Sequence, residues 1–278
     1  MMQQRILYTA LISWYFLFVS SFCIRSPIRE VATSRHSRHL LHCESPEIME
    51  IRAVIFDLDG TLLDTEPLSA IAIQQVLNSV QCPIAMTWDF QKRLLGLRGP
   101  DWSKIIIDEF DLHDRIDAAT FVSQWESNLS ELCAEVKEMG GAHLLTARLH
   151  SMGVIMAIAT SSRTSAVAVK RNKHEDLFSR MTLIVCGDDP EIKNGKPHPD
   201  IYFAAAKRLG VEPRYCLAFE DALSGVQAAR RAGMHVCACP DPRLDFTPFR
   251  AETPHLLPNS SLEMFDWDSW NFIGGNAV

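Results

Sequence analysis

The sequence predicts an α/β protein with a Rossmann-like, doubly wound parallel sheet as its core and an all-helical cap inserted after the first strand. Three observations carry this. From residue 51 onward, short β-branched apolar runs alternate with amphipathic stretches of helical period, the sequence form of repeated βα units. The first run, residues 53–56 (Ala-Val-Ile-Phe), is wholly apolar and stops abruptly at Asp57, as a strand buried on both faces should. The alternation then lapses over residues 66–140, where helix-period stretches such as 71–80 and 121–132 occur without a convincing strand.

Taken in order, residues 1–48 read as a targeting leader. Arg5 precedes an apolar run from Ile6 to Val19, followed by small residues suited to a signal-peptidase cut. The following segment to Cys43 is rich in Arg, Ser and His, like an organelle transit segment. A signal plus transit segment implies a plastid reached through the secretory route. A membrane anchor, a secretory fate and a cytoplasmic product starting at Met49 are the alternatives. The core is expected over 51–65 and 141–246, the cap over 66–140, and a C-terminal tail rich in Pro, Asn and Trp over 247–278. Within the core, strands are expected at 53–56, 154–159, 183–185, 216–219 and 235–238. Helices are expected at 143–151, 164–172, 199–209 and 223–232, the last closed by Gly233.

Bulk properties narrow the function. The net charge is -7 over 278 residues, which argues against a surface built to follow a nucleic-acid backbone. A small molecule is the expected partner, the mature chain is expected to keep no membrane partner, and a monomer is expected. Eight cysteines are scattered without metal or redox spacing, so they read as buried, reduced side chains. Asn128-Leu-Ser130 and Asn259-Ser-Ser261 match a glycosylation triplet that matters only in a secretory lumen.

The chemistry gathers at strand ends. Asp57-Leu-Asp59-Gly60-Thr61 follows the first strand directly. Two acids at i and i+2 of an extended segment point to the same side, where they can share a divalent cation. Hydrolysis of an inert phosphate monoester is eased by passing through an aspartyl-phosphate. Asp57 suits the nucleophile, and Asp59 suits the group that protonates the leaving oxygen and later takes a proton from water. Gly60 permits a sharp turn, so that its amide and that of Thr61 can approach phosphoryl oxygens. Thr160 and Ser161 close the second strand ahead of a helix and form a candidate phosphate-binding turn. Lys196 stands in Gly195-Lys-Pro-His-Pro-Asp200, a stiff loop that can fix a cation against the phosphoryl group. Glu220 and Asp221 end the run 216–219. Mg²⁺ takes oxygen ligands, so Asp57, the Asp59 carbonyl and Asp221 are its expected ligands, with Glu220 direct or through water. Asp188 and Asp189 read as an acidic surface loop.

Four strand ends bearing Asp-x-Asp, Thr, Lys and Glu-Asp in that order resemble the haloacid dehalogenase-like hydrolases over roughly residues 51–240. The resemblance implies a Mg²⁺-dependent phosphatase with Asp57 as nucleophile, Asp59 as acid/base, Thr160 and Lys196 as phosphate holders and Asp221 as metal ligand. The wording Gly187-Asp-Asp-Pro-Glu191 leading to Gly195-Lys-Pro-His-Pro-Asp-Ile201 is similar to pseudouridine-5'-phosphatases, plant-type glycerol-3-phosphate phosphatases and FMN hydrolases. β-Phosphoglucomutases share the core but place a histidine where Ser69 stands here, which favours hydrolysis over phosphate transfer. A non-catalytic metabolite-binding protein on the same fold is the remaining alternative, although no motif residue is lost. Relatives tend to carry Pro-Gly where this chain has Gly140-Gly141, which implies a looser cap hinge. Arg93 and Arg98 are candidate cap contacts to substrate.

Overall fold

The computed structural model describes residues 49–274, apart from 96, 98, 254 and 258–260. The expected leader, Arg98 and Asn259 of the second glycosylation triplet therefore lie outside the described residues. No helix among the described residues is long and apolar enough to cross a membrane.

Strand β1 is Met49–Ile51 and β2 is Ala53–Phe56, the latter buried at every position. Next comes β3, Ile155–Ala159, then β4, Leu183–Val185, β5, Cys216–Glu220, β6, His235–Ala238, and β7, His255–Leu256. Strands β2 to β7 form a six-stranded sheet in the order β4-β3-β2-β5-β6-β7, parallel throughout. The chain moves outward from β2 through β3 to β4, then restarts on the other flank at β5. That reversal opens a crevice at the C-terminal end of β2, where α/β sheets bind ligands. Phe56 is level with both Ile158 and Phe219, so Asp57 emerges beside the ends of both neighbours.

Between β2 and β3, helices α1 (Glu66–Ser79), α2 (Trp88–Gln91), α3 (Gly99–Glu109) and α4 (Ala118–Cys133) form a separate layer. Their apolar faces enclose a core of their own, including Val76, Leu77, Trp102, Ile106 and Phe121. Apolar burial of that kind stabilises by about 1.5–3 kcal/mol per large side chain, enough to hold four helices together apart from the sheet core. The entry and exit of this insertion run side by side: Asp64 N donates to Lys137 O at 2.8 Å, and Met139 N donates to Leu62 O at 2.9 Å. The Gly140-Gly141 step is not loose. Gly141 has φ +82°, and a Cβ there would stand 2.4 Å from Glu263 N, so the chain turns tightly against the C-terminal segment before α5, Ala142–Ser151.

Side chains of the sheet alternate between its two faces, as period-2 geometry requires. Val54, Phe56, Met156, Ile158, Leu217 and Phe219 face one core with α5 and α7 (Glu175–Ser179), and α6 (Thr164–Arg171) reaches it through Val167. Ala53, Ile55, Ala157, Ala159 and Ala218 face the other. The small side chains there admit the alanine-rich helices α8 (Asp200–Leu209) and α9 (Leu223–Arg231) at close range.

The segment after residue 247, set apart as a tail in the sequence, is part of the packed structure. It supplies α10 (Thr247–Glu252), the edge strand β7 and β8 (Trp270–Phe272), which pairs in parallel with β1. Leu262, Phe265 and Trp270 are buried in the first core. Its strands are two and three residues long, too short to show a periodic pattern, which is why the sequence conceals them.

Candidate active site

Because β2 and β5 are in register, Asp57 lies beside Glu220 at the carboxyl edge of the sheet, with Asp57 N bonded to Phe219 O at 2.9 Å. Asp57, Glu220 and Asp221 each place one carboxylate oxygen within 4.8 Å of the others. Lys196 reaches into this cluster from the loop before α8. Its Nζ, on a side chain 7% exposed, donates to Asp57 Oδ1 and Glu220 Oε1, both at 2.5 Å, and to Ala159 O at 3.2 Å.

Three crowded carboxylates, those of Asp57 and Glu220 buried and that of Asp221 half-buried, against one ammonium leave excess negative charge in a poorly solvated place. Burial pushes the Asp57 carboxyl up to about 8, with Lys196 lowering it and Glu220 and Asp59 raising it. Burial likewise raises Asp221, with Glu220 and Asp57 adding to it. Lys196 moves upward, since its two carboxylate partners outweigh burial. A hard divalent cation is what such a donor set accommodates, so the residues present fit Mg²⁺.

Asp59 occupies a different environment. Its Oδ1 receives Lys170 Nζ at 2.5 Å, and its Oδ2 receives Ser162 Oγ at 2.7 Å and Thr160 Oγ1 at 3.4 Å. Burial works against its charge, but the Lys170 ammonium and hydrogen bonds from Lys170, Ser162 and Thr65 outweigh it and hold the carboxyl below its usual range. Two neighbouring aspartates are thus pushed in opposite directions, an arrangement that separates their chemical roles.

The turn residues serve these carboxylates from behind. Gly60 has φ +81°, and a Cβ on it would fall 2.3 Å from Asp221 Oδ2, so only glycine lets the two segments meet. Its amide donates to Leu63 O at 2.8 Å, and the buried Thr61 hydroxyl donates to Asp221 Oδ1 at 3.1 Å. The Gly60 amide was expected on a phosphoryl oxygen and is instead taken by Leu63 O, while the Thr61 hydroxyl sets the position of Asp221. Thr160 and Ser161 line the cavity, and Thr160 Oγ1 accepts from Ser162 N at 3.0 Å. Glu220, although within metal range, also receives Tyr202 Oη at 2.7 Å and Ala222 N at 3.3 Å. With Lys196 it has three donors, so it anchors that lysine while one of its oxygens stays within reach of an ion shared with Asp57 and Asp221.

Lys170 and Tyr202 escaped the sequence reading, and Ser162 was placed only in the turn after Thr160, without its bond to Asp59. The signals were a lysine three residues after Val167 on the buried side of α6, and a tyrosine in the alanine-rich α8. Neither signal names its distant partner. The acidic loop behaves as expected: Asp188 accepts from Thr164 N and Thr164 Oγ1 at the start of α6, and Asp189 pairs with Arg208 at 2.7 Å. Arg93 does not face the site, being held by Glu109 at 3.1 Å on the helical layer's own surface. The six described cysteines are all buried and free.

These groups open on a cavity of about 1040 Å³ between the sheet edge and the helical layer, walled by Ser69, Trp88, Trp102, Trp125 and Leu129 among others. Two contacts span it: Arg163 Nε to Glu126 Oε1 at 3.3 Å, and the Arg243 guanidinium 3.6 Å above the Trp88 ring.

Residues 54–239 match the family model of haloacid dehalogenase-like hydrolases. The (DL)-glycerol-3-phosphatase 1, mitochondrial, of Arabidopsis thaliana is 40% identical over 70% of this chain, and the match spans 66% of that protein, just under two thirds of its length. A probable pseudouridine-5'-phosphatase of Drosophila melanogaster is 37% identical over 71% of this chain and 85% of its own. Among solved structures, a putative beta-phosphoglucomutase from Thermotoga maritima superposes with a TM-score of 0.61 at 29% identity, covering 76% of this chain and 95% of that one. With its carboxylates, lysine and threonine assembled at one sheet edge and named phosphatases among its relatives, the chain is an enzyme that belongs to the haloacid dehalogenase-like hydrolase family.

Proposed function

We propose that the protein is a Mg²⁺-dependent phosphatase of a small phosphomonoester, acting through a phosphoryl group carried transiently on Asp57. The observation that supports this best is the Asp57–Lys196 contact at 2.5 Å inside a buried carboxylate cluster. Asp57, the Asp59 carbonyl and Asp221 would hold the cation, with Glu220 behind them fixing Lys196. The bound ion would neutralise phosphoryl and carboxylate charge, lowering the barrier to attack. Asp57 attacks phosphorus and the ester oxygen leaves with a proton delivered through Asp59, which Lys170 holds ionised before substrate binds and which must take up that proton to serve as the acid. Water then displaces Asp57 and yields its proton to Asp59. Lys196 neutralises charge on the transferring group. The Thr160 hydroxyl and the turn after it orient that group.

Among the described residues lining the cavity there is no histidine, and Ser69 is on its wall. Asp59 is thus the acid/base group at hand, which favours hydrolysis over return of the phosphoryl group to a sugar. Glycerol 3-phosphate, pseudouridine 5'-phosphate and FMN are the candidate substrates. Phosphate release from these, β-glucose 1-phosphate and other sugar phosphates tests the reading. Release from at least one, stopped by EDTA and restored by Mg²⁺, supports it; a silent panel favours a metabolite-binding protein. For location, we keep the plastid leader as the proposal, to be checked by imaging a fluorescent fusion of residues 1–48.

A further inference from the structure

Lys170 has only 3% of its side chain exposed, yet the hydrolytic scheme gives it no task. An ammonium taken out of water costs several kcal/mol unless it is well paired, and an uncharged methionine would fill the same space on α6. What the lysine does is specific. Its Nζ contacts Asp59 Oδ1 at 2.5 Å and Ser162 Oγ at 2.9 Å, while Ser162 Oγ donates to Asp59 Oδ2 at 2.7 Å. The two oxygens of Asp59 are therefore tied by a closed triangle built on α6 and the turn before it, on the far side of the sequence from the Asp-x-Asp turn. The other hydrogen bonds to Asp59, from Thr160 at 3.4 Å and from Thr65, carry no charge, and a misplacement of about 1 Å in a catalytic group costs on the order of 100-fold in rate.

We propose that Lys170 is the positioning residue of Asp59, fixing through Ser162 the direction in which this carboxylate faces the phosphoryl group. The proposal rests on the phosphatase reading above. Its weight falls on the second half-reaction. There a water oxygen bonds to phosphorus, the bond from phosphorus to the Asp57 oxygen breaks with its electron pair returning to that carboxylate, and the water proton passes to Asp59. Water is small and makes few contacts of its own, so its alignment depends on where Asp59 points.

The test uses p-nitrophenyl phosphate, whose leaving group departs without a proton, so the first half-reaction runs even with Asp59 misdirected. In stopped-flow with saturating Mg²⁺, Lys170→Met is expected to release a burst of p-nitrophenolate matching the enzyme concentration, then turn over about tenfold or more slowly than the natural protein. KM for the variant should not rise. Lys170→Arg, which keeps a cation within reach, should recover most of the turnover and lose the burst. Circular dichroism checks that Lys170→Met is folded, and Ser162→Ala supplies a second, uncharged lesion of the same triangle with a smaller burst expected. If both variants slow without a burst, or if both keep full turnover, Lys170 is a packing residue and the proposal fails. If the natural protein releases phosphate from no ester at all, the phosphatase reading itself fails and this role falls with it.

Discussion

Lys196 Nζ lies 2.5 Å from Asp57 Oδ1 although 139 residues separate them in sequence. The same ammonium binds Glu220 at 2.5 Å, so it neutralises two buried carboxylates that otherwise repel. Removing one partner of a buried ion pair costs about 3–5 kcal/mol, because the remaining charge is left unpaired. Lys196→Met is therefore expected to lose phosphate release and also to lower the urea midpoint clearly. An unchanged midpoint would show that the contact does not persist in solution.

Asp57→Asn should separate activity from stability. The amide cannot attack phosphorus, so phosphate release should vanish. Yet it also removes one of three crowded acids whose charge the folded state resists, while Lys196 keeps Glu220 as partner. In EDTA at mildly alkaline pH the variant should melt above the natural protein, as expected where function is bought with local strain. A lower melting temperature would mean that Asp57 supports Lys196 more than it opposes its acidic neighbours.

The main line of this site was legible because strand ends are. A run such as residues 53–56 declares itself by composition, and the residue after it must sit at the sheet edge, so Asp57, Thr160 and Glu220 could be placed from sequence. Lys196 was legible through the prolines around it. Lys170 was not, since 111 residues separate it from Asp59 and nothing in α6 states which strand end it faces. The role of the Gly60 amide failed for a related reason. Sequence shows that a turn can offer its donors to a phosphate, but not that Leu63 O already accepts this one.

The raised acids predict how the metal-free protein responds to pH. Burial lifts Asp57 to about 8 from 3.8 and Glu66, on the cavity wall, to about 7 from 4.5. A group with a raised value keeps its proton in the folded state at a pH where the unfolded chain has lost it. Its stabilising contribution is full below the unfolded value and disappears as pH rises through the folded one. Asp59, Asp188 and Asp189, held low, are already ionised in both states above about pH 5 and add no slope there. Burial also lowers His235 and His255, which opposes this slope up to about pH 6.5, so melting temperature in EDTA should fall clearly between about pH 6.5 and pH 8. Mg²⁺ should restore more of it at the upper end, because the ion needs deprotonated ligands. Melts that are flat across this window would contradict the burial of these acids.

Gly225 offers the sharpest test of how Glu220 is held. It lies inside α9, where alanine is favoured over glycine by about 0.8–1.0 kcal/mol, so Gly225→Ala would ordinarily stabilise. Here a Cβ would stand 1.8 Å from Glu220 Oε1, and Glu220 is fixed by Lys196, Tyr202 and Ala222. The clash should win. Glu220 must shift, Lys196 loses one of its two anchors, and both melting temperature and kcat should fall. Adding Glu220→Asp, which withdraws the carboxylate by one methylene, should return stability to Gly225→Ala without returning full activity, because the shorter side chain no longer reaches Lys196 well. If Gly225→Ala instead raises the melting temperature and leaves kcat intact, Glu220 moves freely and cannot be what fixes Lys196.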